Sequence, residues 1–192
     1  MTAQVRAATP GFFDLSTKSY VQQAMFVMAG TMVLALASKI SVPMIPVPIT
    51  MQTFAVTMVG ALYGWRLGTL TVLAWLGEAM LGLPVLAGAS SGLAPFVGPT
   101  AGYLVSFPIM AALVGFLTQK GINGHRPVAG LLLHLAANAL GLTLGWLWLS
   151  GLLGAEKAWI AGVAPFILGA VLKSALAAAV LKVIALRTES AK

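Results

Sequence analysis

Apolar residues run along this chain in long stretches, at about residues 20–38, 54–65, 67–81, 102–117, 128–149 and 165–186. About 20 mostly apolar residues in a helix cross the roughly 30 Å of bilayer hydrocarbon. The breaks between stretches are marked. Lys39 and the series Pro43, Pro46 and Pro48 end the first, Gly-Trp-Arg-Leu-Gly at 64–68 divides the second from the third, and a Gly/Pro/Ser-rich segment from Gly82 to Gly102 precedes the fourth. The second and third stretches are short, and the rival reading is one long helix with Arg66 in its middle. An arginine at mid-bilayer costs several kcal/mol at least, and glycines flank it, so the pattern predicts a turn and six transmembrane helices. Ala35-Leu36-Ala37 resembles a signal-peptidase site, but the run before it is longer than a usual signal core. It is read as a retained first span.

Composition turns this pattern into a class. Of 192 residues, 59% are hydrophobic and 8% charged, with 11 Lys/Arg against 4 Asp/Glu; mean hydropathy is +0.97. Soluble domains carry about 25% charged residues. The expectation is an all-α integral membrane protein, multi-pass in the cytoplasmic (inner) membrane. A six-helix domain spans 20–186, between a cytoplasmic N-terminal segment at 1–19 and a cytoplasmic tail at 187–192. The +7 net charge is not gathered into a basic patch interleaved with aromatics, which excludes nucleic acid as a partner. With no cysteine, thiolate metal sites and cysteine nucleophiles are excluded. His125 and His134 are spaced too far apart to share a helical face as metal ligands, so no metal or cofactor is expected.

Lys and Arg gather on cytoplasmic loops. With the N-terminus inside, inside segments hold Arg6, Lys18, Arg66, Lys120, Arg126, Lys182, Arg187 and Lys192, whereas outside loops hold only Lys39 and Lys157. Both termini are therefore expected in the cytoplasm. The loops at 41–53 and 82–101 then fall on the outer side. They are nearly uncharged and fairly apolar, which predicts that they fold back as lids over a pocket at the outer face.

Ionisable groups within spans are costly and become candidates for function. Lys173 lies about 12 Å below the outer surface at 1.5 Å per residue, and Glu78 about one turn below the outer end of the third span. Either they anchor a ligand, or they pair with each other and join two helices, or Glu78 merely reaches up to the interface. Gln52 and Thr53 open the second span, where helix N–H groups are free. Asn138 suits either interhelical hydrogen bonding or ligand contact, and Tyr103 either the interface or a pocket wall. His134 reads as packing, and Trp146, Trp148 and Trp159 as an outer aromatic belt. Gly141/Gly145 and Ala175/Ala179 have the small-xxx-small spacing that lets helices approach closely.

The segment Val42-Pro43-Met44-Ile45-Pro46-Val47-Pro48-Ile49-Thr50-Met51-Gln52-Thr53 resembles the signature loop of the BioY biotin transporters, the substrate-binding S-components of energy-coupling factor (ECF) transporters. The resemblance continues through Gly64…Gly68, Trp75-Leu76-Gly77, Gly82-Leu83-Pro84-Val85-Leu86-Ala87-Gly88, Gly98-Pro99-Thr100-Ala101-Gly102-Tyr103-Leu104 and Pro165-Phe166…Gly169…Lys173. It implies six spans, no catalytic residues and a loop-covered biotin pocket near the extracellular face. It also implies partners: biotin, membrane lipid, a transmembrane coupling subunit and two ATPases. No GxxxxGK[ST] phosphate loop is present, so ATP hydrolysis falls to a partner. Biotin offers two ureido N–H donors, one carbonyl, apolar rings and chain, and a carboxylate. Lys173 is expected to bond an anionic or carbonyl oxygen and Glu78 an N–H, with Gln52, Tyr103 and Asn138 completing the site. Two departures stand out. The family commonly has Gly-Asp-x-x-Lys in the last helix, where this chain has Gly169-Ala170-Val171-Leu172-Lys173. The AxxxA face used for docking to the coupling subunit has Thr31-Met32-Val33-Leu34-Ala35 as its nearest version. The missing acid keeps open a ligand other than biotin, another vitamin or related heterocycle. An intramembrane enzyme using Glu78, His134 or Asn138 lacks a paired carboxylate or a metal set.

Overall fold

The computed structural model of the protein describes residues 15–190. Residues 1–14 and 191–192, with the expected cytoplasmic charges Arg6 and Lys192, lie outside the described residues. Seven α-helices are present among the described residues: α1 (Tyr20–Lys39), α2 (Gln52–Met80), α3 (Ala94–Val97), α4 (Ala101–Gln119), α5 (Pro127–Leu153), α6 (Ala155–Gly162) and α7 (Phe166–Ser190). Two two-residue strands, β1 (Ser41–Val42) and β2 (Ile49–Thr50), pair antiparallel and frame the proline loop. By length and composition α1, α4, α5 and the Phe166–Thr188 part of α7 are each able to cross a membrane.

Helix α2 is broken where the sequence predicts a turn. Gly64 has φ +77° and ψ 172°, outside the helical region, and a residue with a Cβ is strained there. Beyond the break the chain folds back on itself. A Cβ placed on Gly68 would stand 2.9 Å from the Gly60 Cα, although eight residues along a straight helix advance about 12 Å. Arg66, just past the break, is exposed, with its guanidinium 5.2 Å from the centre of the Trp65 ring.

Burial runs opposite to that of a soluble bundle. Helix α1 buries Gly30, Thr31, Leu34 and Ser38, while Met25, Met28, Met32 and Leu36 are exposed. Helix α7 turns Ala170, Ser174, Ala177, Ala178, Leu181 and Ala185 inward and Leu168, Leu172, Leu176 and Val183 outward. Large apolar side chains facing out and small or polar ones facing in suit a hydrocarbon solvent, where helices gain from close packing rather than from hiding leucine. Gly141 and Gly145 do lie at a close contact, against Met110 and Tyr103 of α4. Ala175 and Ala179 do not, because both are exposed on the outer face of α7. Thr31 is buried in the body of the protein, so the Thr31/Ala35 pair is not an open face for a partner.

A cavity under the loops and its relation to known proteins

The proline loop, the 82–100 segment, the N-terminal parts of α2, α4 and α7 and the middle of α5 form a cavity of about 220 Å³. This is below the ~300–1,000 Å³ of drug-sized pockets and suits a compact ligand. Pro46, Val47, Pro48, Leu86, Leu104, Phe107, Leu142 and Phe166 give it a mostly apolar wall. Gln52, Tyr103, Asn138 and Lys173 all line it. Four of the five residues expected at the site are thus gathered from four helices.

Their hydrogen bonds separate their chemistry. Lys173 Nζ donates to the Thr50 carbonyl oxygen at 3.0 Å, which joins α7 to the proline loop and leaves two further N–H donors on the ammonium. Gln52 is knitted into the wall. Its Nε2 donates to Ser38 Oγ at 3.1 Å, its Oε1 accepts from Thr50 Oγ1 at 3.1 Å, and its backbone N–H donates to Thr50 Oγ1 at 3.2 Å. Tyr103 is a wall residue with its hydroxyl committed, donating to the Gly162 carbonyl oxygen at 2.7 Å. Its ring lies over Gly145, where any Cβ would collide, and stacks with Phe166 at 6.3 Å. Asn138 Nδ2 donates to the His134 carbonyl oxygen at 2.9 Å and to Ser174 Oγ at 3.1 Å, so the group it offers the cavity is Oδ1.

Glu78 is not brought to the cavity. The buried positions of this part of α2 are Thr71, Val72, Trp75, Leu76 and Ala79, and Glu78 is not among them. It is half-buried near the helix end, and Lys173 bonds to Thr50 rather than to it. His134 is packed as expected, 1% exposed, with neither ring nitrogen hydrogen-bonded among the described residues.

The 82–100 segment is held by three successive carbonyls. Lys39 Nζ donates to Pro84 O at 2.5 Å and Leu86 O at 3.4 Å, and between them Trp75 Nε1 donates to Val85 O at 3.2 Å. Leu86 is buried and lines the cavity, as do Ala87, Ser90, Pro95 and Thr100 of the same segment. Lys39 was expected only as a loop charge. Its distance from Pro84 in sequence hides the contact, as do the helices that separate Ser174 from Asn138.

The chain matches the BioY family over residues 5–190. It belongs to the BioY family. It is 38% identical over 172 residues to a biotin transporter BioY of Rhizobium etli, covering 85% of this chain and 91% of the relative. With a biotin transporter BioY of Rhodobacter capsulatus it shares 41% over 132 residues, 65% of each. A crystal structure of the S-component for biotin from an ECF-type ABC transporter superposes with a TM-score of 0.76 at 28% identity, over 88% of this chain and 92% of that one. The fold is therefore that of an S-component, and the chain is an integral membrane protein of a transporter family. In this BioY member Ala170 lines the cavity.

Proposed function

We propose that this chain captures biotin at the outer face of the cytoplasmic membrane, as the substrate-binding component of an ECF-type transporter. The observation that carries this is the cavity's construction. Much of its wall comes from four of the segments that resemble the family, the proline loop, 82–88, 98–104 and 165–173. Its chemistry complements biotin: apolar surface for the rings and valeryl chain, Lys173 donors for an oxygen, and Asn138 Oδ1 as acceptor for a ureido N–H. With Glu78 off the cavity, Asn138 takes the acceptor role.

In this reading the chain crosses the membrane six times with both termini in the cytoplasm. The break at Gly64 supports two separate arms of α2, and the exposed Arg66 supports a cytoplasmic turn between them. The Lys/Arg distribution supports the orientation. The chain performs binding rather than a chemical step, and a coupling subunit with two ATPases supplies the energy. A second reading, a ligand related to biotin but lacking its need for an acidic contact, draws on Ala170. Uptake of labelled biotin by biotin-requiring cells expressing this chain with a coupling module decides between them. The proposal predicts saturable uptake that excess unlabelled biotin abolishes and thiamine or riboflavin does not. Absence of saturable biotin uptake, together with saturable uptake of another labelled vitamin or related heterocycle, favours the second reading.

A further inference from the structure

Asn138 is 4% exposed, and its carboxamide is held at two points. One is the His134 carbonyl oxygen on its own helix, 2.9 Å away, and the other is Ser174 Oγ on α7, 3.1 Å away. Both points are acceptors. A carbonyl oxygen cannot donate, and the Ser174 hydroxyl proton is committed to the Ala170 carbonyl oxygen at 2.7 Å. The amide therefore fits one way round, with Nδ2 toward these groups. Reversing it would set Oδ1 against the His134 oxygen. Oδ1 receives no hydrogen bond among the described residues, and Asn138 lines the cavity.

The His134 contact alone lets the carboxamide plane swing about that single bond. Ser174, fully buried, adds a fixed second point from another helix. It does not itself line the cavity, so any effect it has on a ligand passes through Asn138. We propose that Ser174 is a positioning residue that aims Asn138 Oδ1 into the cavity, and so makes the site select ligands that present an N–H there. The inference rests on the biotin reading and deepens it. With Ala170 in the wall, a neutral amide oxygen braced by a serine stands as the acceptor, and a neutral acceptor discriminates by donor geometry rather than by charge.

The test measures equilibrium binding to the purified full-length chain in detergent. The ligands are biotin and two analogues, each with one ureido N–H replaced by oxygen to give a cyclic carbamate. The proteins are wild type, Ser174→Ala, Asn138→Ala and the double variant. The expected results are that Ser174→Ala weakens biotin roughly fivefold, as for one neutral hydrogen bond, and leaves the affinity for one analogue within about twofold, so that discrimination against it falls. In the Asn138→Ala background the serine change then adds nothing, as required of two residues acting through one contact. Ser174→Thr keeps the hydroxyl and retains the discrimination even where overall affinity falls. Equal weakening of biotin and both analogues, additive losses in the double variant, or lost discrimination in Ser174→Thr each overturn the inference. Wild-type biotin binding with unchanged discrimination in Ser174→Ala overturns it while leaving the functional reading intact. Failure of the wild type to bind biotin overturns both.

Discussion

Lys173 stands where its helix faces the cavity, and one of its three N–H donors is already bound to the proline loop. A ligand oxygen would take another, so Lys173→Met removes a charged hydrogen bond and loosens the loop at once. Biotin affinity is expected to fall by about 1.5–3 kcal/mol, measured by titration of the purified variant. Glu78→Gln serves as its counterpart and should leave affinity within about twofold, because the residue does not line the cavity. Most of the cavity's residue types were legible in the sequence, since a polar group in an apolar span is conspicuous by its cost. What each one does was not. Gln52, Tyr103 and Asn138 differ in which hydrogen-bonding capacity is already spent, and that depends on Ser38, Gly162 and Ser174, partners 14 to 59 residues away. Glu78 misled because depth along a span does not reveal the direction a side chain faces.

At the scale of elements, helices and their breaks follow from the apolar pattern and from glycine. The turn at Gly64 was readable because Arg66 has no affordable place in mid-bilayer. The contacts that fix the loops were not readable, since they join chain positions far apart. Lys39→Met frees Pro84 O and Leu86 O while Trp75 still holds Val85 O. The expected outcome is faster biotin release, together with faster amide exchange over residues 83–90 in the ligand-free protein. Unchanged release would mean that the indole contact and the burial of Leu86 suffice. Gly145→Ala tests the α4–α5 contact. A methyl there meets the Tyr103 ring, and overpacking of this kind costs about 1–3 kcal/mol. Both thermal stability and biotin binding should drop, because the ring is a wall of the cavity as well as a helix contact.

The whole molecule turns on where its few charges lie. Lys120, Arg126 and Arg66 occupy helix ends or the α2 break, and Lys39 sits near the cavity's covering loops. With no native cysteine, single substitutions report sidedness directly. Ala94→Cys should react with an impermeant maleimide in intact cells, and His125→Cys only after the membrane is opened; the reverse would invert the orientation. On the proposed reading the chain is the substrate-capture component, and ligand binding is its own task. Equilibrium binding of labelled biotin to the purified chain, with excess thiamine and riboflavin as competitors, tests that task most directly. The account predicts saturable, one-site binding that neither competitor displaces and that Lys173→Met weakens; an absence of saturable biotin binding by the folded wild-type protein would contradict it.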